Sequence, residues 1–159
     1  MKKSVFFLYE NVYFSHMYHL VYTSHAVKPF TEEALLDLLK EARTFNKSNA
    51  ITGMLLYLEG KFIQVLEGRK SIVQALYQRI IEDPRHQRVT LVVEGNSPTR
   101  IFKNWSMGFK RITYHDVDVL GFRDIDRFFA EPDKAKENHL LMVFLKIFYK
   151  ENLVDYVEV

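Results

Sequence analysis

The sequence predicts an α+β domain in which a mixed β-sheet carries two helices on one face. Three observations lead to this fold class. β-type runs and helical stretches follow one another in the order βαββαββ, each helical stretch has one apolar stripe, and the central hairpin is apolar on both faces. With 159 residues, 48% of them apolar, the chain can form one domain with a substantial core and a short appendage.

The first strand and the first helix are predicted from a β-type run at residues 19–23 and the stretch that follows it. Thr31 is a favourable N-cap, and the glutamates at positions 32 and 33 suit the first helical turn. Apolar residues then recur at steps of three and four, which predicts a helix ending near residues 46–49: Leu35, Leu38, Ala42 and Phe45.

A hairpin is predicted from two β-type runs, residues 51–58 and 61–67, on either side of a tight turn at Glu59 and Gly60. Both faces of the second run are apolar, with Phe62 and Leu66 on one and Ile63 and Val65 on the other. A half-solvated sheet would alternate with polar residues, so both faces must be covered. We therefore expect C-terminal helices over residues 120–130 and 140–149 to pack on the other face of the sheet, where they are candidates for a subunit interface.

The second helix is predicted from Ser71 and Gln74, which have the spacing of a capping box, and it should stop before Pro84. Further strands are predicted over residues 89–93 and 105–111. In the last of these, Trp105, Met107 and Phe109 would share one face. Their ordinary role is core packing, and the alternative is that Trp105 or Met107 is a movable lid beside a binding slot.

Composition excludes several function classes. The chain has no cysteine, which removes disulfides, thiolate metal sites and cysteine nucleophiles and is compatible with the cytoplasm. Its 22 basic and 20 acidic residues leave a charge of +2, too small and too interspersed to indicate a nucleic-acid or membrane partner. No uncharged apolar run reaches the roughly 18 residues of a membrane span. The apolar start breaks at Glu10 and Asn11, which argues against a signal peptide.

Three polar residues lie where the pattern predicts core. Gln64 is in phase with Phe62 and Leu66, Asn46 ends the apolar stripe of the first helix, and Tyr22 shares a strand face with Leu20. Each alone has an ordinary interpretation, as a satisfied core amide, a helix C-cap or a packed ring. Together they converge between sheet and helices, and an apolar slot with a few placed hydrogen-bonding groups is a common way to hold a planar cofactor.

Other constellations are interpreted as structural. His16 and His19 have the spacing H-x-x-H, but a strand would send them to opposite faces, so a metal site is disfavoured. Glu59 and Glu67 flank the hairpin like paired carboxylates and are expected to be solvated strand ends. Arg85 and His86 are expected in a surface loop.

A longer series of motifs resembles the BLUF domain, a flavin-binding sensor of blue light. The series covers roughly residues 17–112, in order and at ordinary spacing. It consists of Leu20-Val21-Tyr22-Thr23-Ser24, Ala42-Arg43, Asn46, Ile51-Thr52-Gly53-Met54-Leu55-Leu56-Tyr57, Gly60-Lys61-Phe62-Ile63-Gln64-Val65-Leu66-Glu67-Gly68, Asp83-Pro84-Arg85-His86, Phe102 and Trp105-Ser106-Met107-Gly108.

The resemblance implies a ferredoxin-like fold that binds FAD, with FMN as an alternative, between its two helices. It assigns Tyr22 as the photoactive tyrosine and Gln64 as the switching glutamine. The remaining assignments are Asn46 to the pyrimidine edge of the flavin, Leu38 and Ile80 to the two sides of the ring, Arg85 to a ring carbonyl, and Trp105 and Met107 to a pair that exchanges inward and outward positions. Phe45 departs from the family pattern, which has His, Asn or Arg there.

The expected organisation is an N-terminal extension (1–16), a photosensor domain (17–112) and a C-terminal helical extension (113–159). By resemblance the protein is expected to be a photoreceptor and not an enzyme, and to signal to an unidentified partner protein. It is also expected to be cytoplasmic and to form a homo-oligomer. Two alternatives stay open. One is a ferredoxin-like module that binds RNA or peptide with Tyr22 and Trp105 as exposed stacking platforms, and the other is a flavin-dependent reductase.

Overall fold

The computed structural model describes residues 17–104 and 106–119, together with the single residues 126 and 130. Its elements confirm the predicted order βαββαββ and add a short helix after it. They are β1 (Met17–Ala26), α1 (Glu32–Ser48), β2 (Thr52–Leu58), β3 (Lys61–Gly68), α2 (Lys70–Glu82), β4 (His86–Ser97), β5 (Gly108–Arg111) and α3 (Tyr114–Val119).

The five strands form one mixed sheet in the order β4-β1-β3-β2-β5. The pairs β4–β1, β1–β3 and β3–β2 are antiparallel, whereas β5 runs parallel to β2. This order places β1 and β3 in the middle of the sheet, in a register that sets Tyr22 opposite Gln64. Register shifts in the β1–β4 pairing lie on both sides of Tyr22 and Thr23, and such irregularities commonly re-aim side chains next to functional sites.

The first helix begins as predicted. The Thr31 side chain accepts a hydrogen bond from the backbone N–H of Ala34 at 3.1 Å, and Glu32 and Glu33 lie in the first turn. The capping box predicted for the second helix is wrong. The chain leaves β3 at Gly68 and enters α2 at Lys70, so Ser71 already lies inside the helix, and the N-cap residue Arg69 makes no side-chain capping bond.

The hairpin turn is the predicted pair Glu59 and Gly60, with φ of 43° and 82°. Two positive φ values match the tight two-residue turn whose twist suits antiparallel strands. Gly53 of β2 has a different role, because a Cβ there would lie 1.9 Å from the backbone oxygen of Val65. The two strands approach each other so closely at this point that a side chain would not fit.

Both faces of the sheet are buried, as the apolar residues on both faces of the hairpin predicted. The face toward α1 and α2 packs as one cluster that includes Tyr18, Leu20, Tyr22, Leu35, Leu39, Phe62 and Leu66. On the opposite face, Val21, Met54, Leu56, Ile63 and Val65 are also buried. Apart from residues 126 and 130, which are helical, the helices predicted over 120–130 and 140–149 lie outside the described residues, as do the extension 1–16 and Trp105.

Two expectations from the sequence need correction. The last strand begins at Gly108 and not at 105. The backbone oxygens of Ser106 and Met107 accept hydrogen bonds from the side chains of Asn46 and Arg43. Glu67 is not a solvated strand end, since it is fully buried and its carboxylate accepts hydrogen bonds from backbone N–H groups more than thirty residues away. Within the described residues, no helix is both long and apolar enough to cross a membrane.

Candidate functional site

A cavity of about 140 Å³ lies between α1, α2 and the sheet. That is roughly ten times the space a single water needs, so the cavity has room for part of a ring system. All six residues expected to bind a cofactor line it: Tyr22, Leu38, Asn46, Gln64, Ile80 and Arg85. The structure therefore brings together residues from β1, α1, β3 and α2 and from the turn before β4.

Tyr22 and Gln64 form the floor of this cavity. The Tyr22 hydroxyl donates a hydrogen bond to Gln64 Oε1, and both side chains are buried, with 2% and 6% of their surfaces exposed. Burial raises the pKa of Tyr22 well above the usual value, and the nearby Tyr77 and Asp83 act in the same direction. Tyr22 is therefore a neutral phenol at any physiological pH. Its burial also contradicts the alternative in which it is an exposed stacking platform for RNA.

The Gln64 amide has a second partner. Its Nε2 donates to the sulfur of Met107 at 3.4 Å, and Met107 is fully buried. Met107 is itself held by its backbone oxygen, which accepts a hydrogen bond from Arg43 Nε at 2.9 Å. The structure therefore places Met107 inward, in contact with the site. Trp105, the other half of the predicted pair, lies outside the described residues.

Asn46 lies in the last turn of α1 and is 1% exposed. Its Nδ2 donates to the backbone oxygen of Ser106 at 2.6 Å, whereas its Oδ1 is buried and has no hydrogen-bond partner. A buried unsatisfied acceptor costs on the order of 1–3 kcal/mol. Because Asn46 lines the cavity, this orphaned oxygen indicates a ligand that presents a hydrogen-bond donor.

The two helices supply apolar walls. Leu38 of α1 and Ile80 of α2 are half-buried and both border the cavity. Phe45, where the sequence departs from the family pattern, also lines it, and the guanidinium of Arg79 lies 4.9 Å from the centre of the Phe45 ring. A cation over an aromatic face is attractive, so Arg79 bridges α2 to α1 at the rim of the cavity.

Arg85 is bound by two carboxylates. Its guanidinium lies 2.6 Å from Asp83 Oδ2 and 3.2 Å from Glu41 Oε2. Hydrogen bonding from Arg85 lowers the pKa of the Asp83 carboxyl, and the same contact raises the pKa of Arg85. These ion pairs hold the guanidinium at the cavity wall. To contact a ring carbonyl as predicted, Arg85 would have to bind the ligand while it stays paired with both carboxylates.

His86 was missed as a site residue. Its position after the second helix predicts a surface loop, but His86 begins β4, is half-buried and lines the cavity. Its Nδ1 lies 3.1 Å from Ser24 Oγ and its ring packs 5.1 Å from that of Phe62. Burial lowers the pKa of His86. The only sequence signal for it was its place in the Asp83-Pro84-Arg85-His86 motif.

These residues fit a flavin. The ring system is planar and largely apolar on its faces, and its pyrimidine edge carries an N–H donor between two carbonyl acceptors. The site offers apolar walls, a buried acceptor without a partner at Asn46, and an amide at Gln64. Among the described residues, no cluster of three or more His, Asp or Glu side chains could hold a metal ion.

Comparison with known proteins gives the same picture. The family of sensors of blue-light using FAD, abbreviated BLUF, matches residues 17–108. The photoactivated adenylate cyclase subunit beta of Euglena gracilis is 38% identical over 89 residues, which are 55% of this chain and 10% of that protein. The matched residues thus span about a tenth of the length of that relative.

Two solved structures share the fold over nearly their whole length. The photo-activated state of BlsA has a TM-score of 0.69 at 26% identity, with 90% of this chain and 99% of that chain covered. The dark-state structure of BlrB has a TM-score of 0.66 at 23% identity, with 86% and 98% covered.

Proposed function

Because this chain belongs to the BLUF family, sensors of blue-light using FAD, we propose that Tyr22, Gln64 and Asn46 form its photosensing centre and that the chain passes the light signal to a partner protein. The observation that carries the proposal is the pair of hydrogen bonds on the Gln64 amide, one accepted from Tyr22 and one donated to Met107. Since a BLUF domain is a sensor, the domain is not itself an enzyme.

When bound, the flavin supplies a ring that absorbs blue light and is a strong oxidant once excited. FMN carries the same ring as FAD and would serve equally. Asn46 Oδ1 would accept the hydrogen bond of the pyrimidine N–H, and Leu38 and Ile80 would hold the ring between the helices. Arg85 would place positive charge near a ring carbonyl.

Tyr22 is the electron and proton donor in this scheme. Its pKa is far above neutrality, so the phenol keeps its proton in the resting state. The electron and the proton that it gives up would both go to the excited flavin and later return to Tyr22. While the Tyr22 hydroxyl lacks its proton, it cannot donate a hydrogen bond to Gln64 Oε1, and the amide can rotate or tautomerise. When the electron and the proton have returned to Tyr22, the amide is held in the new arrangement.

The rearranged amide changes two contacts at once. In the dark arrangement Nε2 donates to Met107 and Oε1 accepts from Tyr22. With oxygen and nitrogen exchanged, an oxygen faces the Met107 sulfur, which has no proton to donate, and an NH₂ group faces the phenol. One or two hydrogen bonds are worth about 1–3 kcal/mol, the scale of a typical coupling free energy between two sites.

The output is proposed to reach a separate protein. The name of the Euglena gracilis relative joins light to adenylate cyclase, which supports coupling of such a domain to an effector. The proposal also includes a homo-oligomeric state, and it does not identify the partner protein.

An absorption spectrum before and after blue light tests the assignment. The flavin-loaded protein should show a small reversible red shift that persists into darkness. Tyr22→Phe and Gln64→Leu should each still bind flavin but lose the shift. Tyr77→Phe is the matched control, because its ring lies 5.4 Å from that of Tyr22 but its hydroxyl has no place in the scheme. A normal shift in either of the first two variants would refute the assigned roles.

The reductase alternative makes a different prediction. It requires NAD(P)H oxidation in darkness, whereas the proposed sensor should show no such turnover when the reduced nicotinamide is added to the flavin-loaded chain. A steady dark rate that Tyr22→Phe leaves unchanged would favour the reductase.

A further inference from the structure

Glu67 is a fully buried carboxylate on the same strand as Gln64, three residues further along. Its Oε1 accepts a hydrogen bond from the backbone N–H of Ile101 at 2.7 Å, and its Oε2 accepts one from the backbone N–H of Phe102 at 3.0 Å. Thr52 Oγ1 lies 3.4 Å from Oε2. Hydrogen bonds to a charged acceptor are roughly twice as strong as neutral ones, so these contacts fix the start of the chain that leads to Met107.

Arg100 secures the same point from the other side. Its guanidinium donates to the backbone oxygens of Ala50 at 2.7 Å and Glu67 at 3.0 Å, and to Thr52 Oγ1 at 2.8 Å. The neighbouring Phe102 is fully buried. The β4–β5 loop, here residues 98–104, 106 and 107, is therefore fastened to the ends of β2 and β3 by two charged side chains.

The far end of this loop is attached to the photosensing site. The Ser106 oxygen accepts from Asn46, and the Met107 sulfur accepts from Gln64. The second of these contacts depends on which way the Gln64 amide is oriented. The contacts of Glu67 do not, because the side chains of residues 64 and 67 point to opposite faces of β3.

We propose that Glu67 is a positioning residue that anchors the first part of the β4–β5 loop, so that rearrangement of Gln64 displaces the Met107 end alone. This inference rests on the proposed function, because it takes the light-driven change at Gln64 as its starting point. With one end fixed, the displacement goes into β5, whose first residue Gly108 follows Met107 and pairs with Met54.

Hydrogen exchange measured residue by residue by NMR, on the flavin-loaded full chain in darkness and under blue light, tests the anchor. In the unmodified protein, the amides of Ile101 and Phe102 should be protected and should exchange within twofold of the same rate in both conditions. The amides of Met107 and Gly108 should change severalfold on illumination. No variant is needed for this part.

The variant Glu67→Gln replaces one acceptor oxygen with an NH₂ group that faces a backbone donor. We expect the Ile101 and Phe102 amides to exchange about tenfold or more faster, and the light-dependent change to spread along the whole loop, while the absorption red shift is retained. Glu59→Gln is the matched control, since Glu59 lies exposed at the hairpin turn and should leave exchange in the loop unaltered.

Two results would overturn the anchor: Ile101 and Phe102 amides that respond to light as strongly as Met107 in the unmodified protein, or a Glu67→Gln variant with an unchanged exchange pattern. If that variant does not fold, the unmodified protein still decides. Failure of the proposed function gives a separate signature, namely no red shift in the unmodified protein.

Discussion

Replacing Asn46 by leucine should weaken flavin binding and have little effect on the stability of the flavin-free fold. The substitution keeps a side chain of similar size but removes both polar atoms. In the flavin-free protein it deletes the hydrogen bond from Nδ2 to the oxygen of the buried Ser106, a loss of about 1–3 kcal/mol, and it also deletes the unsatisfied Oδ1, a gain of about 1–3 kcal/mol. These two effects are of similar size and opposite sign, so the free energy of unfolding without flavin should change by about 2 kcal/mol or less in either direction.

Flavin binding should respond differently. With ligand bound, Oδ1 is proposed to be satisfied, so leucine leaves the flavin N–H donor without an acceptor. That costs on the order of 1–3 kcal/mol, and since 1.4 kcal/mol corresponds to tenfold in affinity, the dissociation constant should rise about 5-fold to about 140-fold. Flavin fluorescence titration measures the constant, and urea unfolding of the flavin-free chain measures stability.

The matched control is Asn49→Ala. Asn49 is the C-cap residue of α1, and its Nδ2 donates to the Phe45 oxygen at 2.8 Å. Removing that bond should cost about 1 kcal/mol of stability and leave the flavin dissociation constant unchanged. If Asn46→Leu binds flavin within twofold of the unmodified chain, Oδ1 is not the acceptor for the ligand, and the assignment of Asn46 fails.

Two further predictions concern the scaffold. Gly53→Ala should lower the free energy of unfolding by about 3 kcal/mol or more, because its Cβ would lie 1.9 Å from a backbone oxygen. The control is Gly95→Ala, which should be nearly neutral because its Cβ would meet nothing closer than 3.7 Å. Urea unfolding measures both variants, and equal losses of stability would contradict the close approach at Gly53. Burial lowers the pKa of His86 below its ordinary 6.5, so below that pH the unfolded chain takes up a proton that folded His86 does not, and stability is lost as the pH falls. His86→Gln should weaken the dependence of the free energy of unfolding on pH, measured by urea unfolding of the flavin-loaded protein between pH 7.5 and 5.5. Part of the dependence should remain, because burial also lowers the pKa values of His19 and His25. If the dependence on pH is unchanged in the variant, His86 does not contribute to it.

Local periodicity was enough to predict most of the architecture. The Thr31 cap and the spacing of apolar residues defined α1, and the pair Glu59-Gly60 defined the hairpin, because each signal acts over a few residues. Phase alone also placed Tyr22, Asn46 and Gln64 toward the same space. The Ser71 capping box failed because the position of the preceding strand, and not the local motif, decides where α2 starts.

Contacts between distant segments could not be predicted from the sequence. Glu67 looked like a solvated strand end because its partners, the N–H groups of Ile101 and Phe102, lie 34 and 35 residues away. The last strand was predicted too long for a similar reason. Alternation at 105–109 suggested a ladder, but Asn46 and Arg43 bind the backbone oxygens of Ser106 and Met107, and no local pattern encodes those bonds.

The short length of β5 has a consequence for how easily its displacement can be reversed. β5 has four residues, Gly108–Arg111, and within the described part of the chain it pairs with β2 alone, in the parallel arrangement that is slightly weaker per residue. Because this pairing is short, displacing β5 breaks few backbone hydrogen bonds, and those bonds can form again when the displacement ends. In the proposed scheme, a strand held by so few bonds would return to its starting arrangement once the Gln64 amide does.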